Sequence, residues 1–319
     1  MQAIVVTEAG LHGQLQVQEV PEPELGEDEV LVAVKAISVN PVDTLVRQSG
    51  ERMERMLGVG PADGNVILGW DVSGTVERVG SGVTRFSEGV DVFGMVNFPG
   101  HGKAYAEYVA APAAHLAKKP DGISHHEAAA ATLAALTAWQ ALVARAGLQA
   151  GETVLIHAAG GGVGHYAVQI AKYLGARVVG TASPAKRDFV LSLGADEVVD
   201  YTSEAFCERV QDADVVLDSI PGEEHLLRSL DAVKRGGRLI SIKEYFNDRT
   251  EAKARDKDVA HERMLVRSNG EEMEEIARLL GEGHLRSHIS AVYQFHQMAE
   301  AHKAIEGGKT QGKIVVERA

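Results

Sequence analysis

Thr153-Val154-Leu155-Ile156-His157-Ala158-Ala159-Gly160-Gly161-Gly162-Val163-Gly164 is the stretch that decides the fold. Its opening apolar run, rich in β-branched residues, has the character of a buried parallel strand. Four glycines within the next few positions break that strand. Beyond them Val163, Ala167, Ile170, Ala171 and Leu174 recur at helical spacing, and Gly175 ends the helix. Arg177-Val178-Val179-Gly180-Thr181 then reads as a second strand. Strand, glycine turn, helix and strand in that order form a βαβ unit, the setting in which a glycine-rich loop signals dinucleotide binding. Without Cβ atoms in the way, the backbone N–H groups at Ala159, Gly160, Gly161, Gly162, Val163 and Gly164 can approach a pyrophosphate beside the helix N-terminus. Ala159 occupies the first glycine position of the usual G-x-G-x-x-G.

Composition narrows the class. A chain of 319 residues, 45% hydrophobic, has room for about two domains with substantial cores. Its net charge of −13 disfavours a broad phosphate-binding surface, so no nucleic-acid partner is expected. No apolar run is long enough to span a bilayer, and Met1-Gln2-Ala3-Ile4 opens a strand rather than a signal peptide. Cys207 is the single cysteine, which leaves no disulfide framework within the chain and no multi-cysteine metal site. The expectation is a soluble, cytoplasmic protein without a membrane partner.

On the N-terminal side of the glycine stretch the text is strand-rich. Residues 2–7, 15–20, 30–39, 72–79, 90–96 and 105–110 alternate or run apolar, bounded by glycine turns such as Gly10–Gly13 and by the acidic, proline-bearing turn 21–29. Such a series predicts a curled, barrel-like β domain. Asn40-Pro41-Val42-Asp43-Thr44-Leu45-Val46-Arg47 begins a short helix, and residues 50–66 read as a mobile loop or a short helix with a flexible tail. Ser124 and Glu127 form a capping box for a helix over 127–145. Strands at 154–157, 178–181, 197–199, 215–218, 239–242 and 264–266 then alternate with helices, which predicts a doubly wound parallel sheet. A helix over 273–280, a strand near 288–295, a helix over 298–306 and a last strand at 313–317 return the chain to the first domain.

Read in order, Asn40-Pro41-Val42-Asp43, Gly69-Trp70-Asp71-Val72-Ser73-Gly74, Leu136-Thr137-Ala138-Trp139, His157–Gly164 and Gly312-Lys313-Ile314-Val315 resemble one family over essentially the whole chain. It is the zinc-free quinone oxidoreductase, or zeta-crystallin-like, branch of the medium-chain dehydrogenase/reductases. The resemblance implies an α/β chain: a GroES-like β-barrel-type catalytic domain over 1–120, an inserted Rossmann doubly wound parallel sheet over 121–267, and a return to the catalytic domain over 268–319. It also implies a homodimer joined through the edge of the Rossmann sheet, for which Arg238–Ile242 or Met264–Val266 are the candidate edges.

The zinc question is answered from residues. Where zinc-dependent relatives carry their first ligand this chain has Asn40, and Trp70 replaces the histidine of their Gly-His-Glu motif. His125-His126, His284 with His288, and His296 with His302 bring no accompanying ligand set and read as scattered solvated histidines. No metal is expected. The remaining candidates surround a dinucleotide. After the second strand the text runs Thr181-Ala182-Ser183-Pro184-Ala185-Lys186-Arg187, with no acid to accept from a ribose 2′-hydroxyl. A hydroxyl and two cations suit a 2′-phosphate, hence NADPH. The resemblance implies the same and adds a tyrosine, which maps to Tyr201; Lys186 and Arg187 remain alternatives for the cation. Ser219 and Ile242 end the fourth and fifth strands on the cofactor edge. By resemblance Asn40 and Thr137 lie near the acceptor and the nicotinamide, although Asn40 also suits a turn or helix cap. Asp43 is grouped with them, its expected part being to cap or orient the segment. Leu45 stands where some relatives carry an aromatic beside the acceptor.

Without a Lewis acid to stabilise an alkoxide, the easier substrates are acceptors already activated towards hydride. The leading expectation is NADPH-dependent reduction of a quinone or similar small-molecule acceptor, in which the protein supplies positioning. A second is reduction of α,β-unsaturated aldehydes or ketones, and a third, of another class, is nucleotide binding with structural or regulatory duty and no turnover. Turnover is expected to survive exhaustive chelation; elemental analysis showing one zinc per chain, with activity lost on its removal, would refute the metal-free reading.

Overall fold

A computed structural model describes residues 1–11, 14–64 and 66–318. His12 and Gly13 of the expected early turn, and Asn65 in the segment 50–66, lie outside the described residues. The chain forms two compact units, Met1–Leu136 with Val266–Ala319, and Thr137–Leu265. In chain order the strands are β1 (Gln2–Val6), β2 (Leu15–Glu19), β3 (Glu29–Val39), β4 (Val66–Ile67), β5 (Asp71–Val79), β6 (Asp91–Met95), β7 (Tyr108–Pro112) and β8 (Leu116–Lys118). There follow β9 (Thr153–Ile156), β10 (Arg177–Ala182), β11 (Glu197–Asp200), β12 (Ala213–Asp218), β13 (Val233–Ser241), β14 (Ala260–Arg263), β15 (Ile289–Gln294) and β16 (Lys313–Glu317).

In the first unit, β1 lies between β2 and β4, while a larger sheet runs β15-β16-β3-β5-β6-β8 with β7 also paired to β3. Long β3 is the hub: Val30, Leu31, Val32, Ala36, Ile37 and Val39 are all essentially inaccessible. Its edges pair antiparallel with β5, β7 and β16. The segment 50–66 resolves into helix Gly50–Leu57, whose Ser49 Oγ accepts from the Arg52 N–H at 3.4 Å, closed by left-handed Gly58 and followed by a 3-10 turn at Pro61–Asp63. The spacing over 127–145 suggested one helix, but the structure has three pieces: His125–Ala130, Leu133–Trp139 and a π-helical turn at Gln140–Arg145. The first break has a cause in the sheet. The Leu133 N–H donates to Asp71 Oδ1 at 3.1 Å, so a buried carboxylate on β5 restarts the helix. Helix His125–Ala130 packs on β3, β5 and β16 of the first unit, and the division between units falls after Leu136.

The second unit is a six-stranded sheet in the order β11-β10-β9-β12-β13-β14, with every pairing parallel. The strand order reverses at β9, and the glycine-rich loop follows the carboxyl end of that strand, the place where open α/β sheets bind ligands. The sixth strand is Ala260–Arg263 rather than 264–266. Met264 and Val266 are buried, which made their text read as strand, whereas edge strand β14 turns Ala260 and His261 to solvent. The edge strands among the described residues are therefore β11 and β14, and Arg238–Ile242, on or next to β13, belongs to an interior strand.

Helix Gly164–Tyr173 starts so close to the strand end that a Cβ on Gly164 would stand 2.2 Å from the Ala158 carbonyl oxygen. Backbone cannot yield there as a flexible side chain would. Gly164→Ala is expected to cost about 1–3 kcal/mol or more in thermal or denaturant unfolding. Gly50→Ala, where no atom lies within 4 Å of the added Cβ, should be neutral within roughly 0.5 kcal/mol.

Candidate functional site

In the second unit the glycine loop is a short backbone cradle. Ala158 adopts a positive φ of 49°, its carbonyl accepts from the Gly161 N–H at 2.8 Å, and the Ala159 N–H donates to the Thr181 carbonyl at 3.0 Å. Ala159 is fully buried, which explains why alanine serves in the first glycine position: its methyl faces protein, 2.7 Å from where a Cβ on Gly180 would stand. Gly162, Val163 and Gly164 carry the chain into the helix.

The two candidate cations separate. Ser183 leads the 3-10 turn Pro184–Lys186, and the turn closes with the Lys186 N–H on the Ser183 carbonyl at 2.9 Å. Lys186 then lies over the loop, its Cδ only 3.1 Å from the Cβ that a residue at Gly160 would have. Partial burial lowers its ammonium pKa. Arg187 turns the other way: its Nη1 donates to the Val198 carbonyl on β11 at 2.8 Å, and its charge helps to depress Asp200 after the hydrogen bonds from Thr202. Tyr201 follows directly and is 57% exposed. Lys186 is therefore the cation of the loop, and Arg187 is a brace for β11. Ser219 donates to the His157 carbonyl at 3.1 Å, and the Ile242 N–H donates to the Asp218 carbonyl at 2.9 Å, so both sit at carboxyl strand ends in the second unit. Thr137 opens this unit and is 4% exposed.

In the first unit Asn40 and Asp43 belong to a buried polar cluster. Asn40 Nδ2 donates to Asp71 Oδ2 at 2.7 Å, and Asn40 Oδ1 accepts from Lys313 Nζ. The Asn40 N–H donates to Asp43 Oδ2 at 2.6 Å, which caps helix Pro41–Arg47. Lys313 also donates to the Val39 carbonyl at 3.3 Å and stands 3.9 Å from Asp71. Tyr105 OH and His302 Nε2 meet at 3.0 Å, and both residues are fully buried. His302 is thus not solvated as the scattered histidines were expected to be; it fills the core behind Tyr105. Asp71, Tyr105, Lys313 and His302 were not among the candidates. Asp71 and Lys313 lay in motifs that marked the resemblance, and no local pattern disclosed that they meet.

Burial, and then the neighbouring Asp71, push the Asp43 carboxyl from 3.8 up to about 7. Burial also raises Asp71, against the Lys313 charge. Among the described residues one group of three side chains could converge on a cation: His157, Asp218 and His225, in the second unit.

The sign of the Asp43 effect is fixed by linkage. Between about pH 4 and 7 the folded chain holds a proton that the unfolded chain has lost, so this stabilisation is complete below that window and lost as pH rises through 7. Asp43→Asn should remove the decline. In parallel denaturant titrations its stability relative to the unmodified protein should improve from pH 5 to pH 8 by on the order of 1–3 kcal/mol. A constant difference would show that Asp43 is ionised throughout.

Comparison with known proteins accords with this geometry. Residues 26–121 match the alcohol dehydrogenase GroES-like domain, and residues 193–316 match the family described as zinc-binding dehydrogenase. The chain is 33% identical over 317 residues to the quinone oxidoreductase of Sus scrofa, covering 93% of this chain and 91% of that protein. It is 31% identical over 303 residues to the chloroplastic NADPH-dependent alkenal/one oxidoreductase of Arabidopsis thaliana, covering 92% and 73%. The solved quinone oxidoreductase from Coxiella burnetii matches with a TM-score of 0.92 at 33% identity, over 100% of this chain and 99% of that one. With a GroES-like first unit, a Rossmann second unit and relatives of this kind along nearly its whole length, the chain belongs to the zinc-free quinone oxidoreductase branch of the medium-chain dehydrogenase/reductase superfamily.

Proposed function

We propose that the chain is an NADPH-dependent oxidoreductase that reduces a quinone or a similarly activated small molecule without a metal. The observation that carries this reading is Lys186 lying across Gly160 of the glycine loop, with no carboxylate in the ribose segment 181–187. The loop fits a pyrophosphate: at Gly160 a Cβ would crowd Lys186, and at Gly164 it would strike the Ala158 carbonyl. Ser183 and Lys186 would hold the 2′-phosphate, and exposed Tyr201 would flank it. When bound, NADPH supplies the hydride. The chain orients that donor through the loop, Ser219, Ile242 and Thr137, and leaves the developing charge to delocalise into the acceptor's own π-system. Asn40 and Asp43 act by holding helix Pro41–Arg47 in place, since the Asn40 amide is taken up by Asp71 and Lys313.

The relative in Arabidopsis thaliana, an alkenal/one oxidoreductase, supports a second reading in which an enal or enone is the acceptor. Initial rates across a quinone panel and an enone panel separate the two. No helix of the described residues is long and apolar enough to cross a membrane. A cytoplasmic homodimer, joined along the free β14 edge, completes the reading.

Cofactor preference is the sharpest test. NADPH should bind about tenfold to several-hundredfold more tightly than NADH, and the gap should shrink as salt rises. Lys186→Ala should weaken NADPH by roughly tenfold or more and leave NADH nearly unchanged. Arg187→Ala should lower thermal stability and spare the preference. Equal affinities for the two cofactors in the unmodified protein would overturn the assignment.

A further inference from the structure

The glycine loop rests on one strained residue. Ala158 is a non-glycine residue at φ 49°, a left-handed conformation that an L-residue adopts at a cost. Its carbonyl is the point on which the loop turns and against which Gly164 packs. Something must hold its peptide in that orientation. The Ala158 N–H donates to Thr181 Oγ1 at 3.2 Å, and from that hydroxyl a chain of contacts runs into the core. Thr181 Oγ1 meets His157 Nδ1 at 3.2 Å, His157 Nε2 meets Ser229 Oγ at 3.1 Å, and Ser229 Oγ donates to Asp218 Oδ2 at 2.7 Å. Thr181, His157, Ser229 and Asp218 are buried, on β10, at the end of β9, on helix Glu223–Ala232 and on β12.

Proton counting gives this chain a direction. A hydroxyl has one proton to donate. Burial pushes the Asp218 carboxyl up to about 6, so above that pH it is ionised and takes the Ser229 proton; towards His157 Ser229 can then only accept, and His157 Nε2 must carry hydrogen. Burial, followed by the proximity of His225, keeps the His157 imidazole neutral, with its pKa well below the usual value. A neutral ring has one N–H, so Nδ1 is an acceptor and Thr181 must donate to it. Thr181 is left with a lone pair, which the Ala158 N–H fills. Every donor along the chain thus points towards Asp218, whose Oδ1 accepts from the Ile220 N–H at 2.9 Å.

We propose that Asp218, Ser229, His157 and Thr181 form a one-way hydrogen-bonded relay that fixes His157 as its Nε2–H tautomer and positions Ala158 for cofactor binding. The reading of the loop as the cofactor site is taken from the proposed function; the relay itself is a property of the cofactor-free protein. It also accounts for the His157, Asp218 and His225 cluster without a cation. The one lone pair of His157 is committed to Thr181, and both Asp218 oxygens already accept hydrogen bonds. His225 Nε2 stands 3.5 Å from Asp218 Oδ1, and its ring packs edge-on to His157 with centroids 4.5 Å apart.

Nitrogen-15 NMR of the histidine side chains in the cofactor-free protein tests the relay directly, with the His157 signals assigned by their loss in His157→Gln. Above the Asp218 titration, from about pH 7 to 8.5, His157 should show an unchanged Nε2–H pattern, and Ser229→Ala should convert it to a tautomer mixture. Thr181→Val should raise the dissociation constants of NADPH and NADH alike, by about three- to tenfold, and Thr181→Ser should restore both. An Nδ1–H pattern, or titration of His157 within that range, overturns the proposal. So does a Thr181→Val protein with unaltered affinity, or one-to-one perturbation of the His157 signals by added Zn²⁺. Equal binding of NADPH and NADH would instead count against the cofactor assignment and leave the tautomer result standing.

Discussion

One buried carboxylate, that of Asp71, ties together parts of the first unit that are far apart in sequence. It lies on β5, accepts from the Asn40 side chain and the Leu133 backbone, and stands near Lys313 on the last strand. Removing such a group from water is costly, and the cost is met only when its lone pairs are satisfied and a counter-charge is near. The sheet, the helix restart at Leu133 and the position of Asn40 each answer that requirement. The same cluster explains why two carboxyls, Asp43 and Asp71, can share a dry site: burial pushes both pKa values up, which lets one of them remain neutral.

The second unit is organised by backbone. Its sheet order and glycine loop follow from steric room: Gly164 against the Ala158 carbonyl, and Gly180 against the Ala159 methyl. Polar side chains there serve that backbone. Thr181 and Ser219 bond the N–H and the carbonyl of the one peptide group that joins His157 to Ala158, while Arg187 braces a strand carbonyl. Lys186 is the cationic side chain among the candidates that is aimed at the loop.

Local text carried much of this architecture. The βαβ unit was legible because strand, glycine turn and helix are encoded within neighbouring residues, and the capping box at Ser124 and Glu127 is likewise local. What local text did not disclose was set by partners far away. The break at Thr132 depends on Asp71, and the sixth strand is an edge whose exposed residues lack an apolar signature. Apolar Met264 and Val266 are buried beyond that strand, so a hydrophobicity pattern points a few residues too late. Lys186 and Arg187 are adjacent in sequence and could be told apart only once β11 was in place to receive the arginine. The relay was hidden for the same reason: His157, Thr181, Asp218 and Ser229 come from three strand ends and a helix.

The pairing of β16 with β3 bears on the order of synthesis. Val39 lies opposite Ile314 and Ala36 opposite Glu317, so a central strand of the first unit lacks one neighbour until Lys313–Glu317 has left the ribosome. The second unit, Thr137–Leu265, is contiguous and can complete its sheet earlier, during translation. Throughout that interval β3 presents an apolar, hydrogen-bonding flank, the kind of surface that recruits other strands. A nascent chain stalled shortly before Lys313 is for that reason a species prone to mispairing through that open flank.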